Sequence, residues 1–315
     1  MIKYHPEPVT LIGGTPTLGQ SGDRNGTMAY QIMNAHNAPN APEGKLRLKF
    51  DALMSHDITY VSIIQTARAS GMTKFPLPYM LTNCHNSLCA VGGTINADDH
   101  AFGLSAAKKF GGTYVPPMEA VCHQAVREQL AAPGKMILGS DSHTRYGSFG
   151  AMGIGEGGGE LVKQLLGDTY DVDAPEVVLV WLTGTLPKGV GPHDVAISMC
   201  AELFPDGRVK NKVLEFAGPG VKNLSPDYKT GIDVMTTETT CLSSIWLADG
   251  GVTPLDGAGY DSFVEMDLST QESMIALPFH PSNAVTLREF TANPAKYLEP
   301  LGLTSKIKNG RVYAD

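Results

Sequence analysis

The apolar run Met136-Ile137-Leu138 stops abruptly at Gly139, and Ser140-Asp141-Ser142-His143-Thr144 follows at once. A short apolar run bounded in this way reads as a buried strand. A carboxylate, hydroxyls and an imidazole then crowd into a few positions just past its end. Ligands of parallel α/β sheets sit at the carboxyl ends of strands, so this is where a binding or catalytic loop is expected. The glycine-dense run from Gly147 to Gly159 comes directly afterwards.

The flanking sequence supplies the sheet that such a strand needs. Thr27 is a suitable N-cap for a helix over Met28 to Asn34. Lys45 to Phe50 alternates as a strand does, Asp57 to Ala69 reads as a helix, and Pro78 to Cys84 as a strand. Helices are predicted over Asp98 to Phe110, Pro117 to Leu130 and Gly159 to Leu166, with an extended piece at 113–115. Pro175 to Leu182 is the clearest strand pattern in the chain. This alternation predicts a mostly parallel sheet covered on both faces. Glycines and prolines between Thr183 and Pro192 mark a boundary. It divides 1–188, which carries the loop, from a smaller α/β unit over 189–315, with a helix at 193–203, a strand at 213–216, a helix at 232–247 and a strand at 262–267. The tail 301–315 is irregular and reads as a place where a longer polypeptide has been cut.

Bulk properties exclude several classes. The net charge is −8, and the 24 basic residues are scattered, which argues against a nucleic-acid partner. No run of about 18 apolar residues exists to span a membrane, and the first residues lack the regions of a signal peptide. Five irregularly spaced cysteines fit a reducing compartment, and a cytoplasmic location is expected.

Read locally, each polar cluster has two meanings. Asp141-Ser142-His143 is not a nucleophilic triad, because neighbouring residues of an extended segment point apart and no Gly-x-Ser-x-Gly elbow surrounds the serines. It is either a ligand-binding loop with His143 as proton carrier, or an Asx turn that ends a strand. Gly153-Ile154-Gly155-Glu156-Gly157-Gly158 fits Gly-x-Gly-x-x-Gly, the basis for a nicotinamide-dependent oxidoreductase. It lies about fourteen residues beyond Leu138 rather than directly after that strand, so close backbone or anion approach explains the glycines better. Alone, His123 reads as a core histidine of a helix. Cys84, His85, Cys89 and Cys122 match no zinc-site spacing and read as buried free cysteines and neighbours. Glu238 is either an exposed acid in a threonine-rich turn or a carboxylate held for general-base work.

Five segments taken in order carry a resemblance. Gly139-Ser140-Asp141-Ser142-His143-Thr144, the run Gly153 to Gly159, Leu182-Thr183-Gly184, Ala217-Gly218-Pro219-Gly220-Val221 and Met235-x-x-Glu238 together resemble the first part of the aconitase superfamily. That superfamily includes isopropylmalate dehydratases and homoaconitases, and the similarity runs from about Thr27 to Pro281, most like an uncharacterised bacterial hydratase branch. The resemblance implies three-layer α/β/α domains with mostly parallel sheets, here domains 1 and 2. It also implies dehydration and rehydration of a hydroxy di- or tricarboxylic acid at a 4Fe-4S cluster held by three cysteines. By motif position Asp141 and His143 handle the substrate hydroxyl, with His123 as their partner. Ser142 is a nearby donor, and Glu238 a carboxylate near the cluster-bound water.

The departures from the family pattern are as informative. His85-Asn86 stands where an Asp-His pair is usual, His56 replaces a substrate-binding glutamine, and Val234 replaces an asparagine. His56, His85, Asn86 and Ser142 are therefore the expected substrate-binding set, with catalysis assigned to His123, Asp141, His143 and Glu238. The cluster-cysteine segments of the family are absent, so no metal ligand is expected here. The chain is expected to be inactive alone, completed by C-terminal domains or a separate subunit. The alternative is a catalytically degenerate protein that keeps the fold and binds without turnover.

Overall fold

The computed structural model describes residues 2–84, 94–303, 307–309 and 311–312. Two five-stranded sheets dominate it. The first runs in the order Thr113–Val115, Tyr79–Thr82, Ala52–His56, Met136–Gly139, Met152–Gly155, and all its pairings are parallel. The second runs Ile2–His5, Ser262–Asp267, Val177–Thr183, Val213–Ala217, Ser243–Trp246, parallel except for its first strand. The expected α/β class with mostly parallel sheets is therefore observed. Val177–Thr183, read from sequence as part of the first unit, is central in the second sheet. That sheet draws strands from both sides of residue 188.

Alternation along each strand sends its apolar side chains to two different cores. In the first sheet Leu53, Leu81, Leu138 and Ile154 face the helices Tyr60–Ala69, Thr94–Phe110 and Gly158–Leu165. Ala52, Met54, Met80 and Ile137 face Cys122–Gln129. In the second sheet Val178, Val180, Leu214, Phe216 and Val264 pack on Pro192–Leu203 and Pro226–Val234. Its other face, with Val177, Leu179, Val213 and Phe263, joins the same core as Leu53 and Leu138. Helix Met28–His36 lies in that shared layer, with Met28, Ala29, Ile32 and Met33 buried. Thr27 caps it as predicted, its hydroxyl accepting the Tyr30 N–H at 3.1 Å.

Four regions differ from the expectation. The helix expected over 232–247 ends by Thr239, because Thr240 takes φ +65°, and Ser243–Trp246 becomes the edge strand of the second sheet. The helix expected over 117–130 begins only at Cys122; Met118, at φ +66°, cannot sit inside a helix. Part of the glycine run forms a strand, Met152–Gly155, which periodicity could not reveal because half of it has no side chain. The tail, expected to hold no convincing strand, forms a two-residue antiparallel pair, Ile307–Lys308 with Arg311–Val312.

One buried charge ties the second sheet to the shared helix. Glu215 is fully buried and accepts the Ala29 N–H at 3.0 Å and the Tyr260 hydroxyl at 2.6 Å. Burial pushes its carboxyl from the ordinary 4.5 up to about 7, against the opposing effect of those bonds. The folded chain then keeps a proton that the unfolded chain releases, so this group favours the fold at low pH and loses that contribution as pH rises from 4.5 through 7. At about 1.4 kcal/mol per unit the window is worth about 3 kcal/mol. E215Q should gain on the native chain by about that amount between pH 4.5 and 8 in urea unfolding. A pH-independent difference between the two proteins would show that Glu215 ionises normally.

Candidate active site

The candidate side chains gather at the carboxyl ends of the first sheet's strands. His56 ends Ala52–His56, Cys84 follows Tyr79–Thr82, and Asp141 to Thr144 follow Met136–Gly139. The loop folds on itself as an Asx turn. Asp141 Oδ1 accepts the His143 N–H at 2.7 Å, and the Asp141 carbonyl accepts both the Thr144 N–H (3.1 Å) and its hydroxyl (2.6 Å). The Asx-turn reading is thus observed, and the turn leaves the His143 ring partly exposed. Glycines let the neighbouring strand lie against it. A Cβ on Gly153 would come within 2.7 Å of the Thr144 carbonyl oxygen, and one on Gly155 would collide with that of Asp141.

Asp141 is the hub of the loop. It is 8% exposed, and its Oδ1 lies 3.0 Å from His123 Nε2 while Oδ2 lies 3.7 Å from His56 Nε2. Burial acts to raise its pKa, but the hydrogen bond and charge of His123, the His143 N–H and His56 outweigh it. The carboxyl is held well below the ordinary carboxylate range. His123, read alone as a core histidine, instead sits in the first turn of its helix with its ring on this carboxylate.

Glu238 arrives from the other sheet. It lies in the single-turn segment Met235–Thr239, and its Oε1 is 3.0 Å from His143 Nε2. Ser142 Oγ stands 3.2 Å from His143 Nδ1. His123, Asp141, His143 and Glu238 therefore form one connected group, with His56 and Ser142 at its margin. His85, Asn86 and Cys89 lie outside the described residues.

Sequence reasoning missed what holds the two halves together. Arg145, 3% exposed, donates to the Thr144 carbonyl (3.0 Å), the Thr236 hydroxyl (3.1 Å) and the Cys241 carbonyl (2.9 Å). Thr237 Oγ1 donates to the Ser142 carbonyl at 2.7 Å. It also missed His280, whose Nε2 is 3.9 Å from the free side of the Glu238 carboxylate. Arg145 had one available signal, a lone cation one residue beyond the polar loop. His280, some forty residues beyond its partner, had none.

The described thiols do not suit an iron–sulfur cluster. Cys84 and Cys122 form one pair, with the Cys122 N–H donating to Cys84 Sγ at 3.0 Å. Sharing a proton with Cys122 lowers the Cys84 thiol to about 6 and raises that of Cys122. Cys200 and Cys241 are buried in the second unit, their thiols turned to the Met235 and Thr236 carbonyls. Among the described residues no three thiols face one point, as a cluster would require.

Comparison with known proteins shows the family. A family model described as aconitase family (aconitate hydratase) matches residues 30–255. A putative mitochondrial aconitate hydratase of Aspergillus fumigatus is 29% identical over 88% of this chain and 41% of its own length. The mitochondrial aconitate hydratase of Gracilaria gracilis is 28% identical over 88% of this chain and 40% of its own, and that of Schizosaccharomyces pombe 27% over 78% and 35%. The chain thus spans 35–41% of the length of these curated relatives. Among the described residues no helix is long and apolar enough to cross a membrane. With the family match covering well over half of it, the chain belongs to the aconitase family.

Proposed function

We propose that this chain is the N-terminal, proton-handling part of a hydro-lyase that removes and re-adds water on a hydroxy di- or tricarboxylic acid. The observation that carries this reading is the 3.0 Å contact between His143, on the loop of the first sheet, and Glu238, on a turn of the second. Such a contact across two sheets gives an imidazole a charged partner at an open strand end, where a substrate can reach it.

Loss of water from a hydroxy acid needs a proton donor at the departing oxygen and a base at the adjacent carbon. His143, at 36% side-chain exposure, is the group with access to substrate, and the 3.0 Å contact with Glu238 orients its ring. Asp141 stays charged, orients His143 through its N–H and holds His123 through Nε2. His56, Ser142, His85 and Asn86 take the substrate's carboxylates and hydroxyls. The described thiols do not converge, and in this reading the family's 4Fe-4S cluster is held by thiolates of C-terminal domains or a separate subunit. The two sheets act as the cores of domains 1 and 2 of that assembly, with Ile2–His5 and Val177–Thr183 crossing the boundary expected at residue 188. A cytoplasmic location rests on cysteine usage; the relatives named above are mitochondrial, and either compartment keeps thiols reduced.

Reconstituted anaerobically with iron and sulfide, the 315-residue chain should stay colourless. A complete protein containing it should turn over at least one of citrate, isopropylmalate, homocitrate and methylcitrate, and H143N or E238Q should lower kcat there by roughly 10²–10⁴-fold. A stoichiometric cluster on this chain alone would overturn the division of labour. No turnover of any of the four acids by a cluster-loaded complete protein would leave a binding protein. The charge on Asp141 is separately testable. Its lowered folded pKa contributes stability above the ordinary 3.8 that is lost as pH falls below it. D141N should therefore cost about 1–3 kcal/mol at pH 7 in urea unfolding, with the gap closing below about pH 4. An equal gap at pH 7 and pH 3 would show that the carboxylate charge is not what the loop depends on.

A further inference from the structure

The hairpin of Met274–Ala276 with Ala284–Thr286 lies beyond the residues matched by the family model and packs on helix Pro192–Leu203. Its turn carries His280 to the outer side of Glu238. Three contacts fix that ring. Phe204 lies against its face, with ring centroids 4.0 Å apart and planes tilted by 31°. The Ser282 N–H donates to Nδ1 at 3.1 Å, with Ser282 Oγ 2.8 Å from the same nitrogen. Nε2 is 3.9 Å from Glu238 Oε2. A backbone N–H can only donate, so Nδ1 is an acceptor and the neutral ring carries its hydrogen on Nε2, facing the carboxylate. At 3.9 Å the contact is electrostatic rather than a direct hydrogen bond.

The turn is strained in order to reach this position. Phe279, directly before His280, adopts φ +87° with its side chain 83% exposed, so neither packing nor burial compensates it. A bulky side chain in that region is a true outlier, of the kind that persists where the surroundings fix a neighbouring group. Here the neighbour is an imidazole held on three sides.

We propose that His280 is a positioning residue for the proposed acid/base pair. Its Nε2–H engages one oxygen of Glu238 so that the other stays on His143 Nε2, which fixes His143 as the Nε2-protonated tautomer with Nδ1 turned to Ser142. A quarter-exposed glutamate has other rotamers open to solvent, and a second partner removes them. The inference rests on reading His143 and Glu238 as the acid/base pair, but its test needs no turnover, so the two fail separately.

The test is nitrogen-15 NMR of the histidine rings in the 315-residue chain at roughly pH 8.5, two units above the ordinary imidazole value, with His143 assigned from H143N. In the native chain both His280 and His143 should be Nε2-protonated. H280F keeps a ring on Phe204 and removes the donor; the Nε2-protonated signal of His143 should fall by at least half as the tautomers mix. H280Q restores a donor at similar reach and should return the native pattern, and H280N, too short to reach, should behave as H280F does. Native His280 protonated on Nδ1, His143 unchanged in both H280F and H280N, or H280Q indistinguishable from H280F would each overturn the proposal.

Discussion

The guanidinium of Arg145 is the tie on which the site depends. It is buried, and a buried cation is tolerated only when its donors are occupied. The partners it finds are a carbonyl of its own loop and a hydroxyl and a carbonyl of the Thr236–Cys241 segment. A planar fork with donors fixed in direction can meet all three only if loop and segment stand in one relative position. Asp233, fully buried nearby, repeats the arrangement with opposite charge. It accepts from the Ser148 N–H on the first unit and from Ser244 Oγ and Trp246 Nε1 on the second. Those bonds draw the last strand of the second sheet against the glycine-rich turn of the first. His143 and Glu238 meet because these two buried charges leave their segments no other register.

The same logic operates in the core. Helix Met28–His36 is shared by both sheets, and its first turn rests on the Glu215 carboxylate. A negative group at a helix N-terminus is electrostatically favoured. Burial nevertheless raises its pKa, so the attraction does not offset the loss of water completely. Positional definition here is obtained at a cost in stability, in the middle of an otherwise apolar layer. Replacing such a group by a hydrocarbon would remove the cost, and with it the definition.

How much of this was readable beforehand follows from which interactions are local. Strands such as Val177–Thr183 and Met136–Gly139 announce themselves, because burial on both faces leaves a continuous apolar run. The Thr27 cap is equally local. The segment 240–247 was misread because Leu242, Ile245 and Trp246 suit a helical face as well as a buried strand, and only pairing with Val213–Ala217 decides between them. At the site, the polar loop and Glu238 were found through residue type and order. The carboxylate of Asp141 as hub, and the partnership of His123, required geometry. Arg145, Thr237 and His280 act on groups some 40 to 100 residues away, and no periodicity encodes such a distance.

The site residues form an alternating series. His280 faces Glu238, Glu238 bonds His143, His143 shares Asp141 with His123, and His56 stands at the other Asp141 oxygen. Each carboxylate lies between imidazoles, so neighbouring rings are joined through an intervening carboxylate. Such a series suits proton movement, since the nitrogens directed at carboxylates are held in place by them. The described cysteines are paired beside the loop, where ligand atoms of Cys122, His123 and Asp141 lie within 4.8 Å of one another, or buried in the second unit. A group supplied from elsewhere would meet the face where His143 is exposed with its own ligands and find the proton-bearing side chains held by bonds made entirely within this chain.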